Sequence, residues 1–111
     1  MKDFKWSKTE KNLARKAFDL AYQRECESIA VKLRNMILTA KKSADLWQIH
    51  DYLTEQRKRT DEKYDYRYSR LIFVFARLLS EGWLKETELE GLQEDKFEKI
   101  KSLANRLNVT V

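Results

Sequence analysis

The sequence contains no proline, and its 111 residues include only two glycines, Gly82 and Gly91. Folds made of β-strands and tight turns use both residue types often, because turns need a fixed or a positive φ. Their scarcity therefore predicts a few long helices and an all-α fold. The length suits one helical domain over residues 1–111.

Charged residues make up 37% of the chain and hydrophobic residues 42%, with a net charge of +5. This apolar content is too high for a disordered chain, so we expect a folded domain with a highly charged surface. We expect no signal peptide, and no stretch reaches the roughly 18 apolar residues of a membrane span. The single cysteine, Cys26, excludes an intramolecular disulfide and fits a reducing, cytoplasmic location.

A capping box predicts the start of helix 1 at Ser7-Lys8-Thr9-Glu10. Apolar residues then recur at gaps of three and four, which places them on one helix face. This stripe comprises Ala14, Phe18, Tyr22, Cys26, Ile29, Leu33, Met36 and Ala40. We predict helix 1 over residues 8–41, with Cys26 as a small buried thiol.

Helix 2 is predicted to start at Ser43 as N-cap, with Leu46, Ile49 and Leu53 as its apolar stripe. Residues 54–63 contain no apolar side chain. That pattern is typical of a solvated helix with alternating charge, and a flexible linker is the alternative.

Tyrosine then occupies every second position at residues 64, 66 and 68, which fits a β-strand. A helical stripe fits the same region, with members Tyr64, Tyr68, Leu71, Phe75 and Leu78. We predict a helix, because a lone strand would leave its backbone groups unpaired. Gly82 and Gly91 are predicted helix-stop positions, and a last helix is predicted over residues 94–106.

The chain has one histidine, His50, and no glycine-rich phosphate loop or nucleophile motif. A metal site usually needs several converging His, Cys or carboxylate ligands. His50 and Asp51 are adjacent, so on a helix their side chains would point about 100° apart and form a poor catalytic dyad. We therefore predict a protein that is not an enzyme and has no cofactor.

His50 and Asp51 lie three and four residues after Trp47, so the three residues share a face of helix 2. Arg57, six residues beyond Asp51, is expected along roughly the same side. Tryptophan and arginine are typical anchors of protein interfaces, so these four residues are a candidate recognition patch. A tryptophan at the edge of the core, surrounded by solvated charges, explains the pattern equally well.

The pattern Trp47-x-x-His50-Asp51-x5-Arg57, followed by Lys63-Tyr64-Asp65-Tyr66-Arg67-Tyr68-Ser69, resembles the signature of the cyanobacterial fluorescence recovery protein family. The resemblance includes Trp6-Ser7-Lys8-Thr9-Glu10, residues 17–25 and Glu81-Gly82-Trp83-Leu84, and so covers most of the chain. It implies an all-helical homodimer with a long helical-hairpin stalk, about residues 7–63, and a small C-terminal head, about residues 64–107. Arg70 departs from the family, which more often has an apolar residue there.

The resemblance also implies a function. Members of the family bind photoactivated orange carotenoid protein at its C-terminal domain, speed its red-to-orange reversion and help to detach it from the phycobilisome. Their Trp, His, Asp and Arg patch at the dimer interface corresponds to Trp47, His50, Asp51 and Arg57. A head aromatic and a head lysine correspond to Phe73 and Lys99. No cofactor or nucleic acid is implied, and the implied location is the cytoplasm or the cytoplasmic face of thylakoid membranes.

A second hypothesis is a helical adaptor, related to this family, with a different protein or nucleic-acid partner. The pI of 9.3 and the run Arg57-Lys58-Arg59 suggest it, but Glu55, Asp61 and Glu62 prevent a continuous basic stripe. The predicted dimer has separate physical support. Helix 1 would run about 50 Å at 1.5 Å per residue, and one domain of this size is too compact to cover it.

Overall fold

A computed structural model describes residues 4–109 and confirms the all-α prediction. Four α-helices follow one another along the chain: α1 (Lys8–Thr39), α2 (Ser43–Lys63), α3 (Leu71–Ser80) and α4 (Glu94–Val109), with a 3-10 helix (Glu86–Leu89) before α4. No helix in the described part of the chain is long and apolar enough to cross a membrane.

The start of α1 is capped as predicted. The Glu10 amide donates to Ser7 Oγ at 3.1 Å, and the Ser7 amide donates to Glu10 Oε1 at 3.0 Å. At the start of α2, however, Ser43 is already helical. Asp45 caps that helix by accepting from the amides of Lys41 and Lys42 at 2.9 and 3.0 Å. A carboxylate in the first turn also suits the positive end of the helix dipole.

The hydrophobic core lies between the first half of α1 and the C-terminal helices. Its buried members are Trp6, Ala14, Ala17, Phe18, Ala21, Leu71, Ile72, Val74, Phe75, Ala76, Leu78, Leu84, Leu89, Leu92, Ile100 and Ala104. Each fully buried Leu, Ile or Phe contributes about 1.5–3 kcal/mol. Both glycines lie in the turns that close this core, with φ of 85° at Gly82 and 111° at Gly91. The Trp83 amide donates back to the Leu78 carbonyl at 2.9 Å, as predicted for a glycine helix stop.

The second half of α1 differs from the prediction. Beyond Ala21 none of its side chains is fully buried, and Cys26 is only half-buried. The predicted buried thiol is therefore wrong for the single chain. The apolar stripe continues as predicted, but past Ala21 the segments that contact α1, which are α2, Tyr64 and the 3-10 helix, leave it only partly covered.

Helix α2 runs antiparallel to α1 and is continuous through residues 54–63, so the linker alternative is wrong. Near the connection, Met36 of α1 and Ile49 of α2 line one small cavity. Farther along, Lys32 Nζ lies 5.2 Å from the centre of the Tyr52 ring. Of the residues of α2, only Thr60 and Lys63 are buried.

The predicted helix at the tyrosine motif is wrong for residues 64–70, and helix α3 begins only at Leu71. Residues 64–67 have no regular secondary structure, and residues 68–70 form a turn. Tyr64 and Tyr66 both lie edge-on to Phe18 of α1, with ring centroids at 5.3 and 4.9 Å. Local bonds between backbone groups, such as Arg67 N–H to the Asp65 carbonyl at 3.0 Å, replace strand pairing. The alternating tyrosines thus belong to an irregular segment that is neither helix nor strand.

Candidate interaction surface on helix α2

The α1–α2 hairpin exposes a large amount of apolar surface. Its exposed large hydrophobic residues are Tyr22, Val31, Ile37, Leu38, Leu46, Trp47 and Leu53. Trp47 is the largest of these, and 62% of it is exposed. Exposed apolar residues gathered on one part of a surface are typical of binding sites for proteins, whereas isolated ones are normal.

Trp47 and His50 contact each other on one face of α2. Their ring centroids are 6.4 Å apart and their planes meet at 77°. His50 Nδ1 also lies 3.3 Å from Asp51 Oδ1, so these two side chains approach each other more closely than their positions on the helix predicted. Both are largely exposed, which makes them surface groups available to a partner rather than a buried catalytic dyad.

Arg57 lies farther along α2 and its side chain is 81% exposed. Its Nε donates to both carboxylate oxygens of Asp61, at 3.2 and 3.0 Å. Seven residues separate His50 from Arg57, which places them about 20° apart around the helix, whereas Asp51 and Arg57 are about 120° apart. Trp47, His50 and Arg57 therefore follow one side of α2. The expectation that Asp51 shares this side with Arg57 is wrong, because Asp51 lies at its edge.

The two predicted head residues lie on different helices. Phe73 of α3 is half-buried and lines an apolar groove with Ala76, Arg77, Leu103, Arg106 and Leu107. The Arg70 guanidinium lies 5.2 Å from the centre of the Phe73 ring, so Arg70 covers part of this aromatic. Lys99 is exposed on α4, outside the groove.

Two groups of ion pairs join segments that are distant in sequence, and neither was predicted. Arg24 donates to both oxygens of Glu88, at 2.7 and 2.6 Å, and to the Trp83 carbonyl at 2.9 Å. The hydrogen bonds that Glu88 accepts from Arg24, and a weaker effect of the one from the Lys85 amide, lower its pKa to about 2. Lys63 bridges Glu25 and Glu81. The partners are far apart in sequence, so no local spacing could reveal them.

Within residues 4–109 no group of three or more His, Cys, Asp or Glu side chains is placed to hold a metal ion. The acidic side chains that are buried or half-buried accept instead from lysine, arginine or backbone donors, as Glu10, Glu25 and Glu88 do. The geometry of this surface supports recognition of another molecule by contact.

The chain is similar to known proteins over both the hairpin and the C-terminal helices. A family model described as photoprotection regulator fluorescence recovery protein matches residues 6–104. The fluorescence recovery protein of Synechocystis sp. PCC 6803 is 42% identical over 99 residues, which are 89% of this chain and 91% of that protein.

Solved structures give the same result. The fluorescence recovery proteins of Fremyella diplosiphon and of Synechocystis sp. PCC 6803 each align with a TM-score of 0.86 and 42% identity. Each alignment covers 91% of this chain and 99% of the other. The similarity therefore spans nearly the whole fold.

Proposed function

This chain belongs to the fluorescence recovery protein family, a family of photoprotection regulators, and on that premise we propose that it acts on photoactivated orange carotenoid protein. It binds the red form through the C-terminal domain of that protein, accelerates its return to the orange form and helps to detach it from the phycobilisome. The observation that carries this proposal is the exposed Trp47 side chain beside His50 on α2. The proposed location is the cytoplasm or the cytoplasmic face of thylakoid membranes.

A homodimer is part of the proposal. The apolar stripe of α1 continues past Ala21 to Leu33 and Met36, where the single chain leaves the hairpin only partly covered. A second hairpin packed across this face would remove apolar surface from water, which is the main driving force for association. A two-fold dimer would also place two copies of each α2 residue close together, because the same surface is used on both sides.

The hairpin, residues 7–63, is proposed as the dimerising stalk and residues 64–107 as the head. Trp47, His50, Asp51 and Arg57 would lie at the dimer interface with an edge open to the carotenoid protein. Phe73, in its groove with Arg77, and Lys99 would provide a second contact from the head. Aromatic and arginine side chains are typical of the residues that dominate binding energy in interfaces.

The proposed mechanism needs no covalent chemistry. A protein that accelerates the reversion of a two-state partner must bind the transition state of that reversion, or an intermediate close to it, more tightly than it binds the red form. Contacts with two parts of an opened partner would bring those parts together. The mixed charges of α2, including Arg57 and Asp61, suit a rapid encounter that weakens as salt rises.

A nucleic-acid adaptor is the weaker alternative, because the basic run on α2 is neutralised by its neighbours. Arg57 pairs with Asp61 and Arg59 with Glu55. Gel-shift titrations at increasing salt would detect phosphate binding, which weakens steeply with salt.

The test of the proposed function is a dark-recovery assay. Carotenoid protein is converted to its red form by light, the light is removed, and the loss of red absorbance is followed with and without this protein. We expect faster loss of the red form in its presence. An unchanged rate at saturating protein would contradict the proposed function.

A further inference from the structure

Lys63, the last residue of α2, is one of the few buried charged residues in the described chain, and its side chain is only 6% exposed. Lysine is almost never buried unless it is paired. Its neighbour on the same helix, Thr60, is the only other buried residue of α2. Within α2 itself, the residues buried at this end are therefore polar.

The Lys63 ammonium joins three elements. Nζ lies 2.6 Å from Glu25 Oε2 of α1 and 2.6 Å from Glu81 Oε1, directly after α3. The two carboxylates are held from other sides as well. Tyr64 donates its hydroxyl to Glu25 Oε1 at 2.8 Å, and Trp83 donates Nε1–H to Glu81 Oε1 at 3.1 Å.

The geometry makes Lys63 the central group of this cluster. Burial raises the pKa of Glu81, but hydrogen bonds from Lys63 and Arg77 outweigh it, so the pKa is lowered and the carboxylate stays charged. Without the ammonium, the Glu25 and Glu81 carboxylates would face each other while partly removed from water, and both effects would drive them apart.

Loss of the Lys63 charge would disturb α2 more than it would disturb the hydrophobic core. The first half of α1 shares a hydrophobic core with α3 and α4, and that core does not include Lys63. Helix α2 has no buried apolar residue of its own. Loss of the cluster would therefore release α2 and leave the core in place.

We propose that Lys63 is a positioning residue that seats the C-terminal end of α2 against α1 and α3. Through α2 it sets the position of Trp47 and Arg57 relative to the C-terminal helices. Its effect on recovery of the carotenoid protein rests on the proposed function, whereas its effect on the position of α2 does not.

Distances between spin labels test the positioning directly. In a Cys26→Ser background, Glu27→Cys on α1 and Lys58→Cys on α2 report the hairpin. A control pair, Lys16→Cys on α1 and Asn105→Cys on α4, reports the core. All four positions are exposed. Labelled protein is diluted into an excess of unlabelled protein so that distances within one chain dominate.

Lys63→Met removes the charge and keeps most of the aliphatic stem. We expect the α1–α2 distance to become longer and its distribution broader, with the α1–α4 distance unchanged. An unshifted, narrow α1–α2 distribution would overturn the proposal. Equal disturbance of both pairs would also overturn it, because it would mean that Lys63 stabilises the whole fold.

Two further variants keep the test decisive if Lys63→Met does not fold. Lys63→Arg retains the charge and should give the native distances, whereas Glu81→Gln removes one carboxylate partner and should broaden the α1–α2 distribution alone. In the dark-recovery assay, Lys63→Met should slow recovery and Lys63→Arg should restore it. If the unmodified protein has no effect on recovery, the proposed function fails while the distances still decide the role of Lys63.

Discussion

Lys96 Nζ lies 3.1 Å from Glu10 Oε2, and both side chains are almost completely buried. The same carboxylate accepts from the backbone amides of Ser7 and Gln93, at 3.0 and 2.9 Å. One glutamate therefore caps the start of α1, binds the residue preceding α4 and neutralises a buried lysine. It joins the start of α1 to the start of α4.

Glu10→Gln should be strongly destabilising, because it leaves the Lys96 ammonium buried without a counter-charge. Breaking a buried pair in this way typically costs about 3–5 kcal/mol. Denaturant unfolding measures the loss. Glu10→Gln combined with Lys96→Met should recover part of it, since the second change removes the unpaired charge. A free energy of unfolding for Glu10→Gln alone that lies within about 0.5 kcal/mol of that of the unmodified protein would contradict the assigned role of Glu10.

Gly82→Ala and Gly91→Ala form a matched pair that separates backbone strain from crowding. Both residues have positive φ, and a left-handed conformation costs a non-glycine residue about 1–2 kcal/mol. At Gly82 the added methyl group would meet nothing within 4 Å, whereas at Gly91 it would lie 2.7 Å from Leu13 Cδ1.

Leu13 packs against the core and would have to turn away from its position. We therefore expect Gly91→Ala to lower the free energy of unfolding more than Gly82→Ala, as measured by thermal or denaturant unfolding. The reverse order would show that the turn at Gly91 relaxes without disturbing Leu13.

Glu88 should make the stability of the fold sensitive to acid. Its pKa is lowered from an ordinary 4.5 to about 2, first by the hydrogen bonds from Arg24. Between these two values the unfolded chain takes up a proton at Glu88 more readily than the folded chain does. The stabilisation from this residue is thus present above about pH 4.5 and is lost as the pH falls towards 2.

Denaturant unfolding at a series of pH values tests this assignment. Glu88→Gln should be less stable at neutral pH and lose less stability on acidification than the unmodified protein. The stability of Glu88→Gln should still fall somewhat with pH, because the pKa values of Glu10 and Glu81 are also lowered. Parallel pH curves for the two proteins would contradict the assignment.

The helices and most of their ends could be predicted from local signals. The Ser7–Glu10 capping box and the Gly82 helix stop involve residues close together in sequence, so spacing alone identifies them. The irregular backbone of residues 64–70 could not be predicted in this way. Tyr64 and Tyr66 pack on Phe18, almost 50 residues earlier in the chain, and Tyr68 lies against Trp6.

The burial of particular charged side chains could not be predicted from the sequence either. Glu10, Lys63 and Lys96 resemble any other charged residue in a chain that is 37% charged, and only the fold brings their partners to them. The candidate patch was easier to predict, because Trp47 and His50 lie on one helix. Whether Trp47 is buried depends on tertiary packing, and in the single chain it is exposed.

Trp47→Ala should weaken the proposed homodimer without unfolding the chain. Truncating an aromatic anchor in an interface often costs 2 kcal/mol or more, or roughly 30-fold in dissociation constant. Sedimentation or size exclusion across a concentration series measures the change, and far-ultraviolet circular dichroism checks that helix content is retained. Gln48→Ala, an exposed neighbour on another face of α2, should remain dimeric, and a dimer equally stable in both variants would exclude Trp47 from the interface.

Arg57→Leu should slow recovery of the carotenoid protein, whereas Arg59→Leu should not. Both arginines are exposed, lie on α2 and pair with a carboxylate one turn away, so the two changes remove the same charge. Only Arg57 lies along the side of α2 that carries His50. Equal rates of recovery for the two variants would mean that net charge, rather than the patch, governs the effect.

The rate constant for red-to-orange reversion in darkness, measured against the concentration of this protein, tests the central claim most directly. The account predicts a rate that rises with concentration and then saturates, as expected for a partner that must first bind. A rate that does not change at any concentration would contradict it.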